Sequence, residues 1–197
     1  VGAGPFMVHA VRAEERGDWR LSQRFAEPDG STTETTTPGG MTWAGHGHDH
    51  WHVVLGASYW LTRPGSSTIL RRYEKVGYCF FDQTPLLQSV PTAPAVAQFP
   101  STGCDTSSTM ELTMGLSPGW TDPYQWTLPD QRLLVNELDD GVYRLWATAD
   151  PGGWFRESNE RNNLTWVDVR LTTSARPPKV SVVRQGPAGA SGFQTVD

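Results

Sequence analysis

Four of the five histidines in this 197-residue chain, His46, His48, His50 and His52, occupy alternate positions in the stretch MTWAGHGHDHWHVV. Successive side chains on an extended strand point to opposite faces, so all four would leave the backbone on one side. Imidazole nitrogens bind zinc or copper at about 2.0–2.1 Å, and histidines without cysteine are more typical of open, reactive sites than of closed structural ones. On a straight strand the outer two of three such histidines are roughly 13 Å apart at Cα. Convergence on one ion therefore needs a curled backbone, a freedom that Gly45 and Gly47 offer. The run points to a metal, copper or zinc. A structural zinc site and a solvated histidine-rich loop are the alternatives. Asp49 would face the opposite side of the strand, at the surface or behind the ligands.

The elements that must position such a run read as β-structure. Twenty glycines and fifteen prolines accompany 37% apolar and only 19% charged residues, a turn-rich balance unlike that of helical proteins. Short alternating segments (FMVHAVRA, DWRLSQRF, HWHVVLGASYWL, STILRRYE, KVGYCFFD, STMELTM, RLLVNEL, VYRLWATA and LTWVDVRL) read as strands between Gly, Pro, Asp and Asn punctuation. The spacing predicts an all-β, single-domain β-sandwich with long loops and a His-rich metal site, and no amphipathic helix. Residues 30–42 and 84–107 read as long loops. The chain divides into one main domain over residues 1–172 and an irregular strap or tail over 173–197. The ESNERNN stretch, Glu157–Asn163, reads as a turn whose side chains satisfy backbone groups rather than as a calcium site.

Composition also excludes partners. With a net charge of −5 and no basic stripe, the chain lacks the footprint of a nucleic-acid binder. No apolar run is long enough to span a bilayer as a helix. The opening VGAGPF suggests a cleaved or truncated start. Two cysteines, Cys79 and Cys104, are either free buried thiols or a disulfide. A Gly-, Ser-, Thr- and Trp-rich β-protein favours the disulfide and a secreted or extracellular location. It would close a loop of roughly 25 residues, worth about 3 kcal/mol in the loop-entropy model.

Further motifs follow in order: HGHDHWH, then KVGYCFFD, then GLSPGWTDPY, then DPGGWFRESNERNN. In this order they resemble the catalytic domain of the lysyl oxidase family, copper- and quinone-dependent amine oxidases, and look closest to its short bacterial members. The resemblance covers roughly residues 5–172. Its most specific piece is Gly115-Leu116-Ser117-Pro118-Gly119, with Asp122 and Tyr124 at fixed offsets.

The resemblance implies that His48, His50 and His52 bind copper, with His46 one step outside the pattern. It implies a lysine tyrosylquinone built from Lys75, four residues before Cys79, and Tyr124, at the end of the Gly-Leu-Ser-Pro-Gly motif. The activity it implies is oxidation of primary amines, small amines or peptidyl lysines, to aldehydes. Dioxygen is the oxidant, and hydrogen peroxide and ammonia are released. Asp122 is the nearest candidate in sequence for the base that removes the substrate's α-proton, though an Asp beside a Pro also commonly serves a turn. Lys75 must act as a neutral amine, which desolvation or a nearby cation would favour.

The chain departs from the animal enzymes in having at most one disulfide and in carrying Gly47 where they have a cysteine within the histidine run. An extracellular copper- or zinc-binding β-sandwich without a quinone is the alternative function, and an adhesion-like module with an incidental histidine loop is a third.

Overall fold

The structure is a computed structural model that describes residues 5–45, 49–54, 56–74, 77–87, 89–125, 127 and 132–186. Among these the chain is all-β and contains no α-helix. The strands are β1 (Phe6–Val11), β2 (Arg20–Ala26), β3 (Thr32–Thr37), β4 (Met41–Ala44), β5 (His50–Val53), β6 (Ala57–Thr62) and β7 (Arg71–Glu74). They continue with β8 (Thr84–Pro85), β9 (Glu111–Leu116), β10 (Trp120–Thr121), β11 (Gly141–Ala149), β12 (Leu164–Thr172) and β13 (Lys179–Gln185). A short 3-10 turn spans Ser101–Cys104. The strands form a four-stranded sheet in the order β3-β2-β1-β9 and a five-stranded sheet in the order β13-β12-β11-β6-β7. The pairs β4-β5 and β8-β10 complete the set, and every pairing is antiparallel.

Alternation and register together build the face of the four-stranded sheet. Val8 and Ala10 point inward from β1, Leu21 and Gln23 from β2, and Leu112, Met114 and Leu116 from β9. Register sets Ala10 between Leu21 and Leu112, and Val8 between Gln23 and Met114. The buried Gln23 amide is satisfied by the Arg156 backbone, accepting its N–H at 2.7 Å and donating to its carbonyl at 3.0 Å, as burial of a polar group requires. Val53, Phe155 and the Cys79–Cys104 disulfide complete this cluster.

The five-stranded sheet has its own apolar cluster of Leu61, Tyr143, Val169 and Leu171. Leu133, Val135 and Leu138 pack against it. Its other face carries Trp60, Trp146 and Trp166 on neighbouring strands, because β11 pairs Trp146 with both of the others.

Several sequence expectations change here. Residues 30–42, expected as a loop, contain β3 and the start of β4, and the expected loop over 84–107 contains β8 and the 3-10 turn. The HWHVVLGASYWL stretch is two strands rather than one, broken around Gly56. RLLVNEL, expected as a strand, runs over the five-stranded sheet and closes a turn in which the Leu138 N–H donates to the Val135 carbonyl at 3.2 Å. The described part of KVGYCFFD, Gly77 onward, forms no ladder and makes an isolated bridge, Tyr78 to Val53. The expected irregular segment after Thr172 contains β13, an edge strand paired with β12 and exposed along its whole length. In the ESNERNN turn the Glu160 carboxylate accepts the Glu157 N–H at 2.8 Å, and the Asn159 side chain accepts the Arg161 N–H at 3.0 Å.

Candidate functional site

Strand β5, His-Trp-His-Val, divides its side chains between two environments. Trp51 and Val53 pack into the cluster beneath the four-stranded sheet, and the Trp51 indole donates to the Thr106 carbonyl at 2.9 Å. His50 and His52 therefore leave by the opposite face. His52 is buried at 4% exposure and His50 is half-buried. Their Nε2 atoms lie 2.9 Å apart. Two imidazole nitrogens each about 2.0–2.1 Å from a common ion, at right angles to one another, are also about 2.9 Å apart. The pair is thus spaced as two adjacent ligands of one ion would be, although a hydrogen bond between the rings has the same length.

No group of three or more His, Cys, Asp or Glu side chains able to hold a metal occurs among the described residues. His46 and His48 lie outside those residues, as does Lys75. Asp49 is exposed.

A second segment runs along the other edge of β5. The Val53 N–H donates to the Tyr78 carbonyl at 2.8 Å, and the Tyr78 N–H to the Val53 carbonyl at 3.0 Å. This exchange lays residues 77–79 beside the strand that carries His52. The approach is close: a Cβ on Gly77 would stand 2.6 Å from the His52 Cβ, so only glycine fits without a shift. One residue beyond Tyr78, the Cys79 N–H donates to the Tyr124 hydroxyl at 3.0 Å. The Tyr124 ring stands 6.3 Å from the His52 ring, centroid to centroid, at 72°. The tyrosine following the Gly-Leu-Ser-Pro-Gly motif thus lies beside one of the two described histidines of the run.

The buried carboxylate of Asp82 secures this meeting of distant segments. It accepts the Ser117 N–H and the Ser117 hydroxyl, each at 2.7 Å, the Gln98 N–H at 2.7 Å and the Phe99 N–H at 3.2 Å. Burial pushes this carboxyl up, but its four donors outweigh burial and hold it below the ordinary carboxylate value. Asp82 ties the chain after Cys79 to the middle of the motif that leads to Tyr124. Its role was not read from the sequence, because its partners are 16 to 35 positions away.

Burial pushes the Tyr124 phenol well above its ordinary value. The nearby charge of Asp122 adds to the rise, and the Cys79 N–H offsets part of it. Asp122 is half-buried and close enough for its charge to be felt at the phenol. Tyr78 also stands against Tyr124, with ring centroids 5.2 Å apart at 78°. The Tyr78 phenol is also raised, by burial first and then by Tyr59. Among the described residues the site gathers two raised phenols, two imidazoles and the Asp122 carboxylate, partly closed to water.

No protein-family model matches the chain, and no curated protein matches it. The residues themselves carry the functional argument. His50, His52, Tyr124 and Cys79 are brought together, with Asp122 two positions from Tyr124. The disulfide joins Cys79 to Cys104, with Cα atoms 5.8 Å apart.

Proposed function

We propose that this chain is a copper-dependent amine oxidase of the lysyl oxidase type, acting on primary amines or peptidyl lysines with dioxygen as oxidant. The carrying observation is the placement of Tyr124 against both His52 and the Cys79 N–H. A tyrosine packed only to fill the core has no need to meet a histidine from the HxHxH run and the segment just after Lys75 together. In this reading copper is held by His48, His50 and His52, and the spacing of the two described imidazoles fits that role. A lysine tyrosylquinone made from Lys75 and Tyr124 supplies the electron sink for oxidation of the bound amine.

The residues of the chain supply placement and electrostatics. The Cys79 N–H is a fixed donor at the Tyr124 oxygen and favours negative charge there. Asp122 is the carboxylate nearest Tyr124 in sequence and our candidate base for the substrate α-proton. Partial burial keeps water from the phenol and strengthens each polar contact.

In the architecture that accompanies this reading, the four- and five-stranded sheets, each with one apolar face, are the halves of a single-domain β-sandwich. A disulfide and a dioxygen-dependent reaction suit a secreted or extracellular protein. A copper- or zinc-binding β-sandwich without a quinone would use the same imidazoles, but would leave the position of Tyr124 without a purpose.

Peroxide release from copper-loaded, aerated protein supplied with primary amines tests the proposal. Amine-dependent peroxide from wild type, absent from Tyr124→Phe, is the expected result. Copper-replete wild-type protein that releases none with small amines or lysyl peptides would argue for the metal-binding alternative.

A further inference from the structure

We propose that Tyr78 is a positioning residue for Tyr124, a wall that holds the Tyr124 ring edge-on beside His52. The inference rests on the amine oxidase reading for its purpose, but not for its geometry.

The Tyr78 ring is confined from several directions. Its backbone is fixed by the paired hydrogen bonds to Val53. Phe80 stacks on it at 5.6 Å with an interplanar angle of 15°. Its hydroxyl lies 3.2 Å from that of Tyr59, a residue of β6 in the middle of a sheet. Gly56 closes another side: a Cβ there would stand 2.5 Å and 2.9 Å from two carbons of the Tyr78 ring. A ring so enclosed is a rigid surface, and its contact with Tyr124 is close to perpendicular.

Tyr124 thus has two ring neighbours, Tyr78 and His52, each standing close to perpendicular to it. Turning the Tyr124 ring about its own axis would require one of these neighbours to move. Were the proposed cofactor formed, one edge of that ring would take up oxygen and the other would be joined to the lysine amine. A ring that flips freely would offer either edge to either partner. Tyr78 prevents this by its shape, and the contact of its hydroxyl with Tyr59 helps to anchor it.

The test uses tyrosine-ring NMR on the metal-free protein, with quinone yield after copper loading and aeration as the second readout. Wild type should show separate signals for the two edges of Tyr124. Tyr78→Phe and Tyr59→Phe, which lose only the hydroxyl contact, should speed the flip by about fivefold, the equivalent of about 1 kcal/mol, with the edges still resolved. Tyr78→Leu should merge the edge signals and lower quinone yield at least about tenfold at unchanged copper content, the loss expected from misplacing a reacting group. An unchanged disulfide and unchanged signals from β1 and β9 would show that Tyr78→Leu folds, and the two phenylalanine variants test the anchor if it does not.

Tyr124 edges that stay resolved in Tyr78→Leu, or that merge equally in Tyr78→Phe and Tyr78→Leu, would overturn the proposal. If wild type forms no quinone, the amine oxidase reading fails while the ring-flip comparison still decides the role of Tyr78.

Discussion

The hydroxyl of Tyr124 accepts a hydrogen bond from the backbone N–H of Cys79 at 3.0 Å, across 45 positions of chain. The contact joins a disulfide-bonded segment to the end of the Gly-Leu-Ser-Pro-Gly motif, and the same segment is hydrogen-bonded to β5, which carries His50 and His52. One backbone donor thus links the histidines, the disulfide and the tyrosine on which the proposed chemistry depends. Four predictions follow from the residues around it.

Tyr124→Phe keeps the ring but leaves the Cys79 N–H without this acceptor. An unsatisfied buried donor costs about 1–3 kcal/mol. Chemical denaturation should show a loss in that range, and the Cys79 amide should exchange with solvent faster than in wild type. Equal stability with unchanged exchange would mean the bond does not hold the site.

His50→Ala and His52→Ala should each weaken copper binding by at least about 100-fold, since even residues that only support metal ligands cost 10–100-fold when removed. His9 is the control. Its ring bonds Glu111 at 2.9 Å and contacts Glu34 at 3.2 Å on the four-stranded sheet, so His9→Ala should bind copper as wild type does. Titration calorimetry of the three variants distinguishes a site at β5 from scattered histidine binding.

Asp82→Asn should destabilise the protein by about 2–4 kcal/mol, because a buried carboxylate with four donors is replaced by an amide that can accept at only one oxygen. The pH dependence has a definite sign. The folded carboxyl lies below its ordinary value of 3.8, so its contribution is fully present above that value. It is lost as pH falls through the lower folded value. Denaturation at neutral and acid pH should therefore show wild type and Asp82→Asn converging at low pH. A gap that stays constant down to pH about 2 would contradict the assignment.

Replacing Cys79 and Cys104 by serine removes a cross-link between residues 25 positions apart. The loop-entropy model puts the loss at about 3 kcal/mol. Because the disulfide anchors the segment whose backbone N–H donates to Tyr124, the double variant should lose quinone yield in conditions where its fold is retained. Full yield from a destabilised but folded variant would separate the disulfide from the site.

Much of this arrangement was legible in the sequence wherever alternation has an apolar face. Val8, Ala10, Leu21, Leu112 and Met114 mark β1, β2 and β9 in this way, and the paired tryptophans mark β6, β11 and β12. The missed strands lack that signal. Five of the six residues in β3 are exposed threonines or glutamate, and its one buried residue, Thr37, is of the same polar type as its exposed neighbours. The valines of β13 alternate over only part of the strand, and all seven of its residues are exposed at the sheet edge. RLLVNEL differs for the opposite reason: it has apolar residues at strand-like spacing, but Leu133, Val135 and Leu138 cover a sheet face instead of joining the ladder.

At the site, residue types and spacing point to the histidine run and the cysteine pair, whereas Tyr124 is implied by the family resemblance alone. Asp82, Tyr78 and Tyr59 act through partners that only folding brings near, and no local spacing announces them.

Peptide mass spectrometry of copper-loaded, aerated protein bears most directly on the central claim. The account predicts a covalent link between the peptides containing Lys75 and Tyr124, with the mass of a lysine-substituted quinone, absent from Tyr124→Phe. Unmodified Lys75 and Tyr124 peptides recovered from fully copper-loaded wild-type protein would contradict it.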